Sequence, residues 1–212
     1  MTTFVEIQGE NLAVEIYEPK VRIADVVLVH GFTGSKEDFE VIGPLLADMG
    51  YRVLTFDNRG QHESTHSKRE DAYSMHSLAR DVIELSKHYG FVKPHLLGHS
   101  FGGLVAQRAL VQSPQTWRSL TIFCSGPHWI PDKPDLDATL HILETMTMEE
   151  SWYKYKDETD KLLPRYETYK KRWMASDPNS THTMALHLKD TQALTAEIVA
   201  TKLPIHVIYG EN

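Results

Sequence analysis

The sequence holds a single cysteine, Cys124. An internal disulfide is therefore excluded, and so low a count fits a reducing compartment. Basic residues are the minority: 22 Lys and Arg stand against 29 Asp and Glu, for a formal net charge of −7. No Lys/Arg block stands out. The basic face that a phosphate backbone requires is missing, and no nucleic-acid partner is expected. No apolar stretch approaches the ~20 residues of a membrane-spanning helix. The start, Met1-Thr2-Thr3-Phe4-Val5-Glu6, has neither a basic n-region nor an apolar h-region, which argues against a signal peptide and for the cytoplasm. No His/Cys group has metal-site spacing, and no Gly-x-Gly-x-x-Gly or P-loop pattern occurs, so neither a metal nor another cofactor is called for. Asp135 and Asp137 read as solvated surface.

What remains is ordinary globular material: 212 residues, 41% hydrophobic and 24% charged. That length supports one sizeable core, since a chain of this size buries roughly 70% of its unfolded surface. Phe4–Ile7 and Leu12–Tyr17 alternate apolar and polar residues around Gln8-Gly9-Glu10-Asn11, which reads as an antiparallel hairpin. The pattern then changes. Val26–Val29, Val53–Phe56, His95–Leu97, Leu120–Phe123 and Ile205–Tyr209 are short apolar runs, as expected of strands covered on both faces. Helical spacing lies between them. Phe39, Ile42, Leu45, Leu46 and Met49 share one face; Met75, Leu78, Ala79, Val82 and Leu85 share another. Strands alternating with helices predict parallel pairing with right-handed crossovers. The fold class is α/β: a mostly parallel, doubly wound sheet with an antiparallel start.

From Pro127 to about Thr191 the rhythm breaks. This stretch is rich in aromatics (Trp129, Trp152, Tyr153, Tyr155, Tyr166, Tyr169, Trp173) and carries helical patterns over Leu136–Met146, Glu149–Lys161 and Tyr166–Met174, without a strand. It reads as a helical insertion above the strand ends. The expected organisation is a first core part over 1–126, a helical cap over 127–190 and a second core part over 191–212, with a helix through Leu194, Ile198 and Val199.

The most informative motif is Gly98-His99-Ser100-Phe101-Gly102. An apolar run precedes it and a helical pattern with Leu104, Val105, Ala109 and Leu110 follows. Strand, sharp turn and helix are the context of a nucleophile elbow, in which flanking glycines give the turn room and the serine hydroxyl stands clear of the sheet. Ser100 is the candidate nucleophile. A serine hydroxyl needs a base within reach and donors for the developing oxyanion. The backbone N–H of Phe101 is one donor. The loop His30-Gly31-Phe32-Thr33-Gly34-Ser35 can supply the N–H of Phe32 as the other. The bland reading of that loop is a strand-to-helix turn in which Ser35 or Asp38 caps the helix.

On these residues the chain resembles the α/β-hydrolase superfamily over its whole length. His30-Gly31 is similar to its oxyanion-loop motif, Gly98–Gly102 to its elbow, and Asp57-Asn58-Arg59-Gly60 to its Asp-x-Arg-Gly turn. The resemblance implies an α/β-hydrolase fold with a cap after Phe123 and an acyl-enzyme on Ser100. It also implies the triad order Ser, acid, His. Ile205–Gly210 is similar to the strand that precedes the acid, so the acid and the histidine are expected beyond Asn212. The 212 residues then read as a truncated piece, nearly inactive alone, whose last strand leaves a sheet edge open to a second copy. His62 stands where the family commonly has glycine; a positive φ there would be strained.

Candidate pocket residues are His30, Gly31, His99, His128 and Trp129. Neither His30 nor His99 reads as a base: His30 orders its loop, and the elbow turns His99 behind the sheet. Glu211 is a displaced candidate for the acid. Asp57 and Arg59 read as a structural turn network, and Cys124 as a small core residue. The expected substrate is a small or medium carboxylic ester or related acyl compound. Other chemistries of the superfamily (lactonase, carbon–carbon bond hydrolase, perhydrolase, menaquinone-pathway lyase) and a non-catalytic ligand binder stay open.

Overall fold

The computed structural model describes residues 2–69, 71–127, 133–156, 160–162 and 164–210. The hairpin is strand β1 (Thr3–Ile7) and strand β2 (Glu10–Tyr17), antiparallel, with Ile7 opposite Glu10. Gln8 and Gly9 both take positive φ, 55° and 79°, as a tight two-residue turn requires. The strands β3 (Ala24–Val29), β4 (Tyr51–Phe56), β5 (His95–His99), β6 (Ser119–Phe123) and β7 (Ile205–Ile208) follow. Their spatial order is β1-β2-β4-β3-β5-β6-β7. Every pair from β4 through β7 is parallel; only β1–β2 and β2–β4 are antiparallel. The order reverses around β3, so β3 and β5 lie side by side at the centre and their C-terminal ends diverge to opposite helices. Ligands of open α/β sheets bind at such a switch point.

Alternation along the strands sorts side chains to two faces. Val27, Val29, Leu54, Phe56, Leu96, Leu120 and Ile122 belong to the larger core. Helices α2 (Met75–His88) and α3 (Phe101–Gln112) pack there, and the expected face Met75, Leu78, Ala79, Val82 and Leu85 is buried. Val26, Leu28 and Val53 point the other way and form a small second core with Phe39.

The helix after β3 departs from expectation. A 3₁₀ turn, Lys36–Phe39, comes first, and helix α1 is only Ile42–Asp48. Of the expected apolar face, Phe39 is buried, but Ile42, Leu45 and Met49 are 44%, 57% and 65% exposed. The break between the two segments rotates the stripe away from the sheet. Small residues face inward instead: Gly43 and Ala47 are buried, and a Cβ on Gly43 would strike the Tyr17 ring. Cys124 is also a correction. It is exposed, at φ 45° just past β6, where its N–H bonds to Ile208 O (2.7 Å) and the left-handed turn carries the thiol outward.

Residues 133–190 contain helices and no strand among the described residues: α4 (Lys133–Thr145), α5 (Met148–Tyr155), α6 (Tyr166–Met174) and α7 (Pro178–Asp190). Helix α5 ends earlier than its pattern implied, at Tyr155, because Lys156 turns to extended backbone at φ −113°. Helix α7 announces itself by Asp177-Pro178: the Asp177 carboxylate accepts the Asn179 N–H at 2.9 Å and Pro178 takes the first turn, where no donor is needed. Helix α8 (Thr195–Ala200) leads back to β7, which lies at the sheet edge with Val207 and Ile208 half exposed. No helix among the described residues is long and apolar enough to cross a membrane.

Candidate active site

Ser100 sits between β5 and α3 with φ 51° and ψ −121°. An L-residue other than glycine in this region costs about 1–3 kcal/mol and persists only where the surroundings over-determine it. They do so here. A Cβ on Gly98 would fall on the Gly102 carbonyl oxygen, and a Cβ on Gly102 would fall on the carbonyl oxygens of Val29 and His30. The flanking glycines thus let strand, turn and helix cross at backbone contact. Two hydrogen bonds secure the turn: Ser100 N–H donates to Phe123 O at 3.0 Å, and Gly103 N–H donates to Ser100 O at 2.8 Å. The Ser100 side chain is left half exposed at the helix N-terminus, where the dipole favours negative charge.

The loop after β3 meets this serine. A Cβ built on Gly31 would lie 3.2 Å from Ser100 Cβ and 3.3 Å from His99 Nδ1, so the Gly31 backbone rests against both. Among the described residues, the N–H groups of Phe32 and Phe101 donate to no protein acceptor, and the Ser100 hydroxyl has no hydrogen-bond partner. A cleft of about 1100 Å³ opens above the serine. Its lining includes Phe32, Leu97, His99, Ser100 and Phe123 from the sheet side, and Trp152, Tyr155, Trp173 and Leu188 from the helices.

The candidate pocket residues fall into different places. His30 is fully buried and does not line the cleft. Its Nε2 accepts the Asn58 N–H at 2.9 Å, so its Nδ1 carries the proton and donates to Gly31 O at 2.8 Å. Burial lowers its pKa, against Asp57 and Asp38, which raise it; the ring is a neutral brace for the loop. Gly31 is buried and contributes backbone only. His99 does line the cleft, on the side opposite to the expected one, because its position in β5 alternates with the buried Gly98. Its ring lies 5.3 Å from that of Phe123. His128, Trp129 and Glu211 lie outside the described residues. The sequence marks Asp38 only as a possible helix cap and Phe123 only as a strand end, and it gives no sign of Leu188 as a cleft residue. The aromatic density of 152–173 was the available signal for Trp152, Tyr155 and Trp173, which pack together at ring separations of 5.5 and 5.9 Å and also face the cleft.

The Asp57-x-Arg59 turn anchors the surroundings. Asp57 accepts the Lys36 N–H at 2.7 Å and the Lys36 ammonium at 3.0 Å. Burial pulls the Lys36 pKa down, but Asp57, Glu37 and Glu63 outweigh it and hold the ammonium charged. Arg59 pairs with Asp81, its Nε lying 2.6 Å from the carboxylate. His62 takes φ 46°, so the strained turn at that position is real, and its Nε2 lies 3.5 Å from Glu37. Glu37, His62 and Glu63 bring potential metal-ligand atoms within 4.8 Å of one another. The Lys36 ammonium already sits 2.8 Å from Glu37 and 2.5 Å from Glu63, so a positive charge is built into that cluster.

A mostly parallel sheet with a serine raised on a strained strand-to-helix turn beside a glycine-bearing loop defines the α/β-hydrolase class. The chain belongs to that family: the family described as alpha/beta hydrolase fold matches residues 26–189. The chain is 27% identical over 173 residues to the hydrolase YugF of Bacillus subtilis (strain 168), covering 81% of this chain and 54% of YugF. It is 31% identical over 106 residues to the sn-1-specific diacylglycerol lipase ABHD11 of Xenopus laevis, covering 50% of this chain and 33% of that protein. The chain thus spans between a third and about half of these relatives' lengths. Among solved structures, a hydrolase from Pseudomonas aeruginosa superposes with a TM-score of 0.83 at 22% identity, covering 99% of this chain and 80% of that one.

Proposed function

We propose that this chain carries the nucleophile and oxyanion half of a serine hydrolase site, and that the protein acts on small or medium carboxylic esters or related acyl compounds. In this reading Ser100 Oγ attacks the carbonyl carbon and gives its proton to a base outside the described residues. The N–H groups of Phe32 and Phe101 hold the tetrahedral oxyanion, which collapses by breaking the ester C–O bond, so that the alcohol leaves with that proton and the acyl group stays on Ser100. Each such donor contributes about 10²–10³ in kcat. The helices over 127–190 act as a cap. Their aromatic side chains, with Phe32, Leu97 and Phe123, accept an apolar acyl or alcohol group. The observation that carries the reading is the Ser100 backbone at φ 51° and ψ −121°, a conformation that only a tightly enforced turn maintains. YugF and ABHD11, a hydrolase and a lipase by name, are in keeping with it.

Among the described residues no base reaches the Ser100 hydroxyl, and that favours a second reading in which the cleft binds an apolar ligand without turnover. Fluorophosphonate labelling separates the two. The hydrolase reading expects an adduct on Ser100, accelerated by imidazole as a diffusible base and absent from Ser100→Ala. A chain that takes up an environment-sensitive apolar fluorophore but never labels, with or without imidazole, is a binder.

A further inference from the structure

The loop that follows β3 is closed by a turn, Gly34 N–H to Gly31 O at 3.1 Å, with Thr33 inside it at φ 53°. A β-branched residue in the left-handed region is an outlier that neighbouring structure has to impose. On the sheet side His30 and Lys36 brace the ends of the loop. The other restraint comes from helix α6, across 134 residues of sequence: Arg172 Nη1 donates to Asp38 Oδ1 at 2.5 Å. The second oxygen of the same carboxylate accepts the Ser35 N–H at 3.3 Å and lies against Gly34, where any Cβ would strike it. The next residue on α6, Trp173, meets the Phe32 ring edge-on at 6.5 Å.

Arg172 is an expensive residue for a purely structural tie. It is 2% exposed, its Nε has no partner, and its second terminal nitrogen is 3.8 Å from Glu37. The Asp38 side chain keeps 25% of its surface in water, so the desolvation cost falls on the guanidinium, and an apolar residue of similar volume at a site this buried commonly matches or betters the stability such a charge gives. What an apolar residue cannot do is fix the position of one carboxylate oxygen. We infer that Arg172 is a positioning residue: through Asp38 it holds the 31–34 turn in its strained form and so sets where the Phe32 N–H points relative to Ser100. The catalytic consequence rests on the reading of Ser100 as nucleophile; the placement of the turn does not.

Two measurements on Arg172→Met, Arg172→Lys and Asp38→Asn test it. The first is amide hydrogen exchange. Arg172→Met and Asp38→Asn are expected to speed exchange of the Gly34 N–H, which is held by Gly31 O, by about tenfold or more relative to the Gly103 N–H, which is held by Ser100 O, with Arg172→Lys near wild type. The second is the fluorophosphonate reaction. The maximal inactivation rate at Ser100 is expected to fall about tenfold to a hundredfold while the half-saturating concentration stays within about threefold. The double variant is expected to be no slower than either single one. Unchanged exchange of the Gly34 N–H in a folded Arg172→Met or Asp38→Asn protein overturns the inference, whatever the labelling shows. Faster exchange at Gly34 and Gly103 alike, or no recovery with lysine, assigns Arg172 to general stability and also overturns it. If wild type does not label while exchange changes as expected, the nucleophile reading falls and the positioning of the turn stands.

Discussion

The two faces of the sheet are covered to very different degrees. Behind Val27, Val29, Leu54, Leu96, Leu120 and Ile122 lie α2, α3 and α8, whose Leu78, Val82, Leu104, Val105 and Ile198 share one buried cluster with those strand residues. Over Val26, Leu28 and Val53 the cover among the described residues is thinner: Phe39 of the 3₁₀ turn, partly buried Tyr17, Leu46 and Tyr51, and then a cleft that separates the sheet from Trp152, Trp173 and Leu188. On this second side Phe123 and Ile208 are 37% and 50% exposed, and α1 turns Ile42, Leu45 and Met49 to solvent. Yet the strands read alike from either side: Val26-Val27-Leu28-Val29 is one unbroken apolar run. Such a run says that a strand sits inside a sheet; it does not say that both coverings are equally deep. The candidate site lies where the two regimes meet. Ser100 is fixed by backbone packed into the deep face, and His99, Leu97 and Phe123 open from the shallow one.

The sharpest test of this contrast uses the Asp57-x-Arg59 turn. Arg59 and Asp81 are fully buried within the deep face, and Arg59 Nη1 has no hydrogen-bond partner. Arg59→Met is expected to cost about 3–5 kcal/mol at neutral pH, the usual penalty for stranding one member of a buried pair. Burial already pushes the Asp81 carboxyl upward, and Arg59 and Gln8 pull it back. Without Arg59 the raised folded-state pKa rises further. A carboxyl raised on folding contributes stability below its unfolded pKa and loses it as pH climbs through the folded value. The penalty of Arg59→Met should therefore shrink as pH falls from 7 toward 5, as read by urea unfolding at each pH. A penalty independent of pH would mean that water or another cation reaches Asp81, and the deep face would not be as dry as the contrast requires.

Leu96 and Leu97 are consecutive residues of β5 on opposite faces. Leu96 is fully buried in the larger core, whereas Leu97 is half exposed and borders the smaller one. Leu96→Ala is expected to cost about 2–5 kcal/mol, the sum of lost transfer energy and a cavity that helices on that side cannot collapse. Leu97→Ala is expected to cost about 1 kcal/mol, because much of its surface is already in water. Equal losses in urea unfolding would break the comparison and show that the shallow face is covered in solution.

The contrast also explains which features were legible in the sequence. The elbow was readable because Gly98 and Gly102 are demanded by local backbone crowding, and local demands leave local marks. The mostly parallel pairing with an antiparallel start followed from alternation of apolar runs with helical spacing, whereas the spatial order of the strands is a long-range fact that no such pattern encodes. Helix α2 was readable because its apolar stripe packs on the deep face. The stripe of α1 looked the same, but whether a stripe is buried depends on what faces it, which periodicity does not encode. Reading His30 as a brace for its loop needed only its position beside Gly31, whereas its burial under Asn58 and its absence from the cleft are long-range facts. So is the Arg172–Asp38 contact, which no window of sequence spans. His99 reads both as a candidate pocket residue and, from the elbow, as packed behind the sheet; strand alternation counted from the buried Gly98 turns it toward the cleft, which it lines.

The smallest expected effect is the most diagnostic for the shallow face. Leu45 is 57% exposed on α1, with Ile42 and Met49 one turn away on the same side. If that side meets only water, Leu45→Ser removes little buried apolar area. The change should then lie within about 0.5 kcal/mol in urea unfolding, as for surface substitutions generally. Serine has a slightly lower helix propensity than leucine, and that difference alone accounts for a few tenths of a kcal/mol. A loss well above this, or one that grows with protein concentration, would require that Leu45 be buried against something. Concentration dependence would identify a second copy as the cover, since only association makes stability follow mass action. A large loss independent of concentration would instead place apolar surface of the same molecule over α1. Either result would remove the asymmetry between the faces and, with it, the reason why the cleft opens on the side of Leu97 and His99.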